Sequence, residues 1–155
     1  SVQVHPPPAV ARRFGGEPKT ELWHVADAAA GAEIFAGLKR GVTRESFERH
    51  LKTGTVADCL YRIPVKAGDA MFLPSGRLHA IGGGTVTFEI QQNPDTTYRV
   101  FDWNPAGLDG KPRPIHLEHG AANIQWDRTT NWVERNLVNR VEALGSGDGW
   151  REVRP

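Results

Sequence analysis

Between residues 61 and 102 the chain divides into short segments at 61–65, 70–73, 78–81, 85–91 and 97–102, each bounded by Gly, Pro, Asn or Asp. None is long enough for a typical globular helix, and turn residues close both ends of each. This spacing is the pattern of an all-β sandwich or barrel. The clearest segment alternates Val86, Phe88 and Ile90 with Thr85, Thr87, Glu89 and Gln91. A period of two predicts a strand with its apolar face on the core and its polar face outward.

The upstream part carries more strand signals and one helix. Val2 and Val4 alternate with Gln3 and His5, so the two polar side chains share a face. Residues 20–26 alternate likewise, with Glu21, Trp23 and Val25 on one side and Thr20, Leu22, His24 and Ala26 on the other. Residues 32–38 read as a further strand. Residues 43–52 read as a helix: Thr43 caps it, Phe47 and Leu51 lie at i, i+4, and Gly54 stops it. Leu117, Ala121 and Ile124 predict a second helix. The predicted fold is mainly β, with a small helical insertion.

At 155 residues the chain is the size of one domain. A net charge of +1 argues against a nucleic-acid partner. No stretch approaches the roughly 18 apolar residues of a membrane span. The single cysteine, Cys59, excludes an internal disulfide and a Cys-rich zinc site. No signal-peptide pattern opens the chain, so a cytoplasmic location is expected. The opening residues alternate as if in mid-strand, and a strand pattern at 141–144 runs into a glycine-rich loop. Residues 1–155 are therefore expected to form a single domain of a longer polypeptide. Strands are expected to be missing at both ends, and the sheet edges this leaves exposed would favour self-association.

The densest chemical signal is residues 68–79, with Gly, five residues, Pro74, one residue, Gly76, two residues, His79. In structural terms this is a strand, a tight turn and a strand, with a histidine at a fixed offset from the turn. A plain β-turn with an incidental histidine is the alternative. Gln3 and His5 point one way from one strand, and Glu21 comes from the next. With His79 they make a set of two histidines and one glutamate, plus an amide oxygen. The two histidines and the glutamate alone match the ligand count of a catalytic zinc site with an open position, and the amide oxygen of Gln3 is an acceptable weaker ligand. Ordinary polar residues on a solvent face are the alternative for Gln3 and His5.

The frame at 68–79 resembles the second motif of the cupin superfamily, whose final histidine is a metal ligand, although Gly83 stands where an asparagine is usual. More narrowly, several segments are similar to type I mannose-6-phosphate isomerases. They are Ser1-Val2-Gln3-Val4-His5-Pro6, Gly16-Glu17-Pro18-Lys19-Thr20-Glu21-Leu22-Trp23, Pro74-Ser75-Gly76-Arg77-Leu78-His79 and Glu89-Ile90-Gln91-Gln92-Asn93. Asp95-Thr96-Thr97-Tyr98-Arg99-Val100-Phe101-Asp102-Trp103 and the loop from Leu108 to Arg113 continue the match.

The resemblance runs in order from Ser1 to about Ile124. It implies a cupin-type jelly-roll barrel, partial here, and interconversion of mannose 6-phosphate and fructose 6-phosphate through an enediolate. It implies one zinc ion held by Gln3, His5, Glu21 and His79, and catalytic roles for Lys19, Asp95 and Arg99. Two departures stand out: Pro7-Pro8 replaces the family's usual acidic pair, and family members are about twice this length. The rival readings are a non-catalytic metal cupin that binds a sugar or sugar phosphate, an inactive truncated homologue, and an iron-dependent cupin oxygenase with more histidine ligands.

Overall fold

The computed structural model describes residues 1–103, 106–107, 110–126, 137–138, 140–143 and 150–153. Its strands in chain order are β1 (Val2–Val4), β2 (Glu21–Ala28), β3 (Glu33–Leu38), β4 (Leu60–Pro64), β5 (Ala70–Leu73), β6 (His79–Ile81), β7 (Thr85–Gln91), β8 (Tyr98–Phe101), β9 (Leu137–Val138), β10 (Arg140–Ala143) and β11 (Trp150–Val153). The helices are α1 (Pro8–Ala11), α2 (Arg44–Thr53) and α3 (Leu117–Asn123). One antiparallel sheet has the order β4-β3-β6-β1-β8, a second has the order β7-β2-β5-β9, and β10 pairs with β11. The structure is mainly β, as the segment spacing predicts.

The five-stranded sheet separates two cores. Val2, Val4, Ala80 and Val100 project to one side, where Phe47 of α2 and Ile124 beyond α3 close over them. Ile34 and Ala36 project to the other side and pack against Trp23, Met71 and Leu73 of the second sheet. The alternation in β1 therefore has a use on both faces. Its valines anchor the helical layer, while Gln3 faces the space between the sheets. In register, Gln3 lies opposite His79 on β6 and Arg99 on β8. Residues directly opposite share a face, so His79, Gln3 and Arg99 form one row across three strands.

Helix α2 forms as its caps predict. Thr43 Oγ1 accepts from the Ser46 amide at 3.2 Å, and Ser46 Oγ accepts from the Thr43 amide at 2.9 Å. This reciprocal pair satisfies two otherwise orphaned donors. Gly54 closes the helix at φ 71°.

One sequence expectation is overturned. The apolar side of β7 does not face the core: Val86, Phe88 and Ile90 are 57%, 65% and 62% exposed. The polar side instead lies on the pocket face, where Glu89 is opposite Trp23, and Gln91 opposite Glu21, on β2, although both remain exposed. Trp103 is exposed as well, with its ring against Phe35 and Phe101.

Candidate metal centre

The turn at residues 74–77 connects the two histidines. Gly76 adopts φ 82°, a conformation open to glycine, and reverses the chain between β5 and β6. Its amide donates to the His5 carbonyl at 2.6 Å. The turn that positions His79 thereby also fixes the chain at His5. Glu21 reaches the same point from the first residue of β2, in the facing sheet.

His5, Glu21 and His79 are all buried, and each offers one ligand atom within 4.8 Å of the others. His5 Nδ1 lies 2.9 Å from the Thr96 carbonyl, and His79 Nδ1 lies 2.8 Å from the Arg77 carbonyl. A carbonyl only accepts, so both rings carry hydrogen on Nδ1 and turn Nε2 toward Glu21. Backbone carbonyls on the far nitrogen are the usual way metal-ligating imidazoles are oriented.

His5 Nε2 is 2.8 Å from Glu21 Oε1, and His79 Nε2 is 3.7 Å from Glu21 Oε2. With His5 neutral, its lone pair would meet a carboxylate oxygen, which needs a proton or a cation between them. Two donors on a tetrahedral zinc, each at about 2.0–2.1 Å, stand about 3.3 Å apart. The two separations bracket that value, so the set fits a metal ion.

Burial alone would raise the Glu21 carboxyl. The hydrogen bond from His5, the charges of His79 and His5 and the hydrogen bond from Lys19 outweigh it and hold the group at about 2. Burial, helped by the charge on His5, pushes His79 down to about 4, against the opposing pull of Glu21 and the Arg77 carbonyl. At neutral pH Glu21 is ionised and His79 is neutral, which are the forms that bind metal.

The same shifts set the acid stability of the metal-free protein. As pH falls from 6.5 to 4, an unfolded chain takes up a proton at His79 that the folded chain does not. Between 4.5 and 2 the same holds for Glu21. The contribution of these two groups is therefore complete above pH 6.5 and declines below it, with the His79 shift worth on the order of 3 kcal/mol. Urea unfolding of the metal-free protein at pH 7.5 and pH 4.5 is expected to show the lower midpoint in acid. A higher midpoint in acid would contradict the assignment.

Around this centre lies a pocket of about 310 Å³, lined by Gln3, Lys19, Glu21, Trp23, His79 and Glu89, with Arg113 and Ser1 also in its wall. The Lys19 ammonium, 4% exposed, donates to Gln91 Oε1 at 2.9 Å and lies 3.1 Å from Glu21 Oε1. Gln3 donates to Ser1 Oγ at 2.8 Å. Arg99 is half-buried beyond Gln3, about 10 Å from His79 by strand spacing. Its Nε lies 3.7 Å from Asp102 Oδ2, a carboxylate that also holds Arg113 at 2.6 Å. Asp95 is exposed and does not line the pocket. Sequence reasoning assigned no site role to Glu89, Gln91 or Arg113. The inward polar positions of β7 carried the signal for the first two.

No protein-family model matches the chain. It is 44% identical over 119 residues to a mannose-6-phosphate isomerase of Streptococcus mutans, covering 76% of this chain and 37% of that protein. It is 41% identical over 127 residues to the mannose-6-phosphate isomerase ManA of Bacillus subtilis, covering 81% of this chain and 40% of that protein. The chain is homologous to one part of the mannose-6-phosphate isomerases.

The crystal structure of the mannose 6-phosphate isomerase from Bacillus subtilis superposes with a TM-score of 0.77 at 30% identity, over 94% of this chain and 45% of that one. The mainly β arrangement of two antiparallel sheets is thus the cupin fold of the mannose-6-phosphate isomerases. The chain spans less than half the length of these relatives. Among the described residues no helix is long and apolar enough to cross a membrane.

Proposed function

We propose that this chain carries the metal centre and part of the substrate pocket of a zinc-dependent mannose-6-phosphate isomerase, interconverting mannose 6-phosphate and fructose 6-phosphate in the cytoplasm. The observation that carries this reading is the convergence of His5, Glu21 and His79 on one point in the wall of a polar pocket. The similarity to two bacterial mannose-6-phosphate isomerases supports the choice of reaction.

Aldose–ketose isomerisation moves a proton between adjacent carbons through an enediolate, so the site must tolerate charge developing on oxygen. One zinc ion held by His5, Glu21 and His79, with Gln3 as a fourth donor, supplies a Lewis acid for that charge. Lys19 is a candidate for proton transfer. Two of its three ammonium hydrogens are directed to Gln91 and Glu21, which leaves one for the pocket. Asp95 is the second candidate. Arg99, in the row with Gln3 and His79, stabilises the enediolate. Self-association is proposed to run through exposed sheet edges such as β7.

The test is turnover of mannose 6-phosphate by zinc-loaded protein, with Arg99→Ala beside it. Turnover is expected, and the variant is expected to lose about a hundredfold in kcat, the size of losing one fixed transition-state donor. Unchanged turnover in the variant, with metal bound, would remove Arg99 from the reaction. Binding of metal and sugar phosphate without turnover would favour a non-catalytic binder.

A further inference from the structure

Trp23 sits two residues beyond Glu21 on β2, so the two side chains share the inward face. Its ring is 2% exposed and meets the His79 ring edge-on, with centroids 5.5 Å apart at 80°. The indole N–H is its only polar group, and a buried indole normally finds an acceptor. Here it finds two, and both are carboxylates. Nε1 lies 3.2 Å from Glu21 Oε2 and 2.9 Å from Glu89 Oε2. Glu89 is placed for this by register, directly opposite Trp23 on β7.

The two oxygens of Glu21 are thus restrained separately. Oε1 faces His5 and Lys19, while Oε2 faces the indole and, farther off, His79. The last torsion of a glutamate side chain is soft, so partners rather than the chain itself set the plane of its carboxylate. Packing alone would be satisfied by any ring of similar size. An N–H shared between a ligand carboxylate and a second carboxylate across the strand pair is a more specific arrangement.

We propose that Trp23 is a positioning residue for the metal centre: its indole N–H, anchored on Glu89, fixes the plane of the Glu21 carboxylate so that Glu21 can close on the ion together with His5 and His79. The inference rests on the metal centre assigned above. Removing such an outer partner of a ligand typically weakens metal binding by about 10–100-fold.

The experiment is a cobalt(II) titration of the purified chain, read by visible absorption and by direct affinity measurement. Wild type is compared with Trp23→Phe and with Trp23→3-benzothienylalanine. The second replacement exchanges the indole N–H for sulfur at nearly the same shape, so it removes the hydrogen bond and keeps the packing. It is expected to weaken cobalt binding about tenfold or more and to shift the visible bands, while the melting curve of the metal-free protein stays close to wild type. Phe47→Leu, a core change remote from the pocket, is expected to lower the melting temperature without moving cobalt affinity. Wild-type affinity and an unshifted spectrum in the sulfur variant would overturn the positioning role and leave the metal centre standing. Failure of wild type itself to bind cobalt would overturn the centre and this role with it.

Discussion

His79→Ala is expected to abolish specific divalent-metal binding and, with it, the proposed isomerase turnover. The substitution removes one of three converging donors and leaves His5 and Glu21, which are already in contact at 2.8 Å. Loss of a direct ligand should exceed the roughly 10–100-fold cost of losing an outer partner, so at least a thousandfold drop in zinc affinity is expected. The fold should survive. His79 is held neutral by burial, its ring donates to one backbone carbonyl, and the strand pairing through Ala36 and Gln3 uses backbone atoms that alanine retains. Far-UV circular dichroism of the metal-free variant should therefore stay near wild type, with melting lowered only by the lost packing against Trp23, while metal retention after dialysis disappears. A variant that holds zinc as wild type does would remove His79 from the centre.

Gly82→Ala is expected to be among the most destabilising single-methyl additions in the described part of the chain. Gly82 follows β6 directly, and its amide donates to the Glu33 carbonyl at 3.0 Å. A Cβ at this position would fall within the contact radius of that same carbonyl oxygen, with the Glu33 carbonyl carbon at 3.2 Å and Phe35 Cε2 at 3.5 Å. The obstacle is backbone, and that backbone is committed to β3, which pairs on both sides. It cannot rotate aside as a side chain would. A cost of about 2–4 kcal/mol follows, with a fall of roughly 5–15 °C in melting temperature. Because β6 also carries His79, metal affinity should fall with it. The neighbouring Gly83→Ala is the control. No atom lies within 4 Å of its added Cβ, so a change within about 0.5 kcal/mol is expected. Equal melting of the two variants would refute the close-approach argument.

The candidate site was unevenly legible. The frame from Pro74 to His79 shows in the sequence because a tight turn demands particular residues at particular offsets, and Gly76 fills the position of positive φ. That Gln3 and His5 share a face, as do Glu21 and Trp23, follows from strand periodicity. The convergence of His5, Glu21 and His79 does not follow, since it depends on one sheet closing over another. Asp95 and Arg99 were legible only through resemblance, and the fold gives them different surroundings: Arg99 is half-buried beside Asp102, while Asp95 is exposed.

Strand β7 marks the boundary between the two kinds of knowledge. Sequence alone determined that Val86, Phe88 and Ile90 lie on one side and Thr87, Glu89 and Gln91 on the other, because alternation is a property of the extended backbone. It did not determine which side faces in. That was decided by Trp23 of β2 and by Lys19 just ahead of β2, which present an indole N–H and an ammonium to acceptors on the neighbouring strand. A buried donor without an acceptor is costly, and this favours the polar side inward even though the apolar side is left exposed. Periodicity is local and can be read from one strand. The choice of face is made by what the neighbouring strand brings to the interior, and only the tertiary structure contains that.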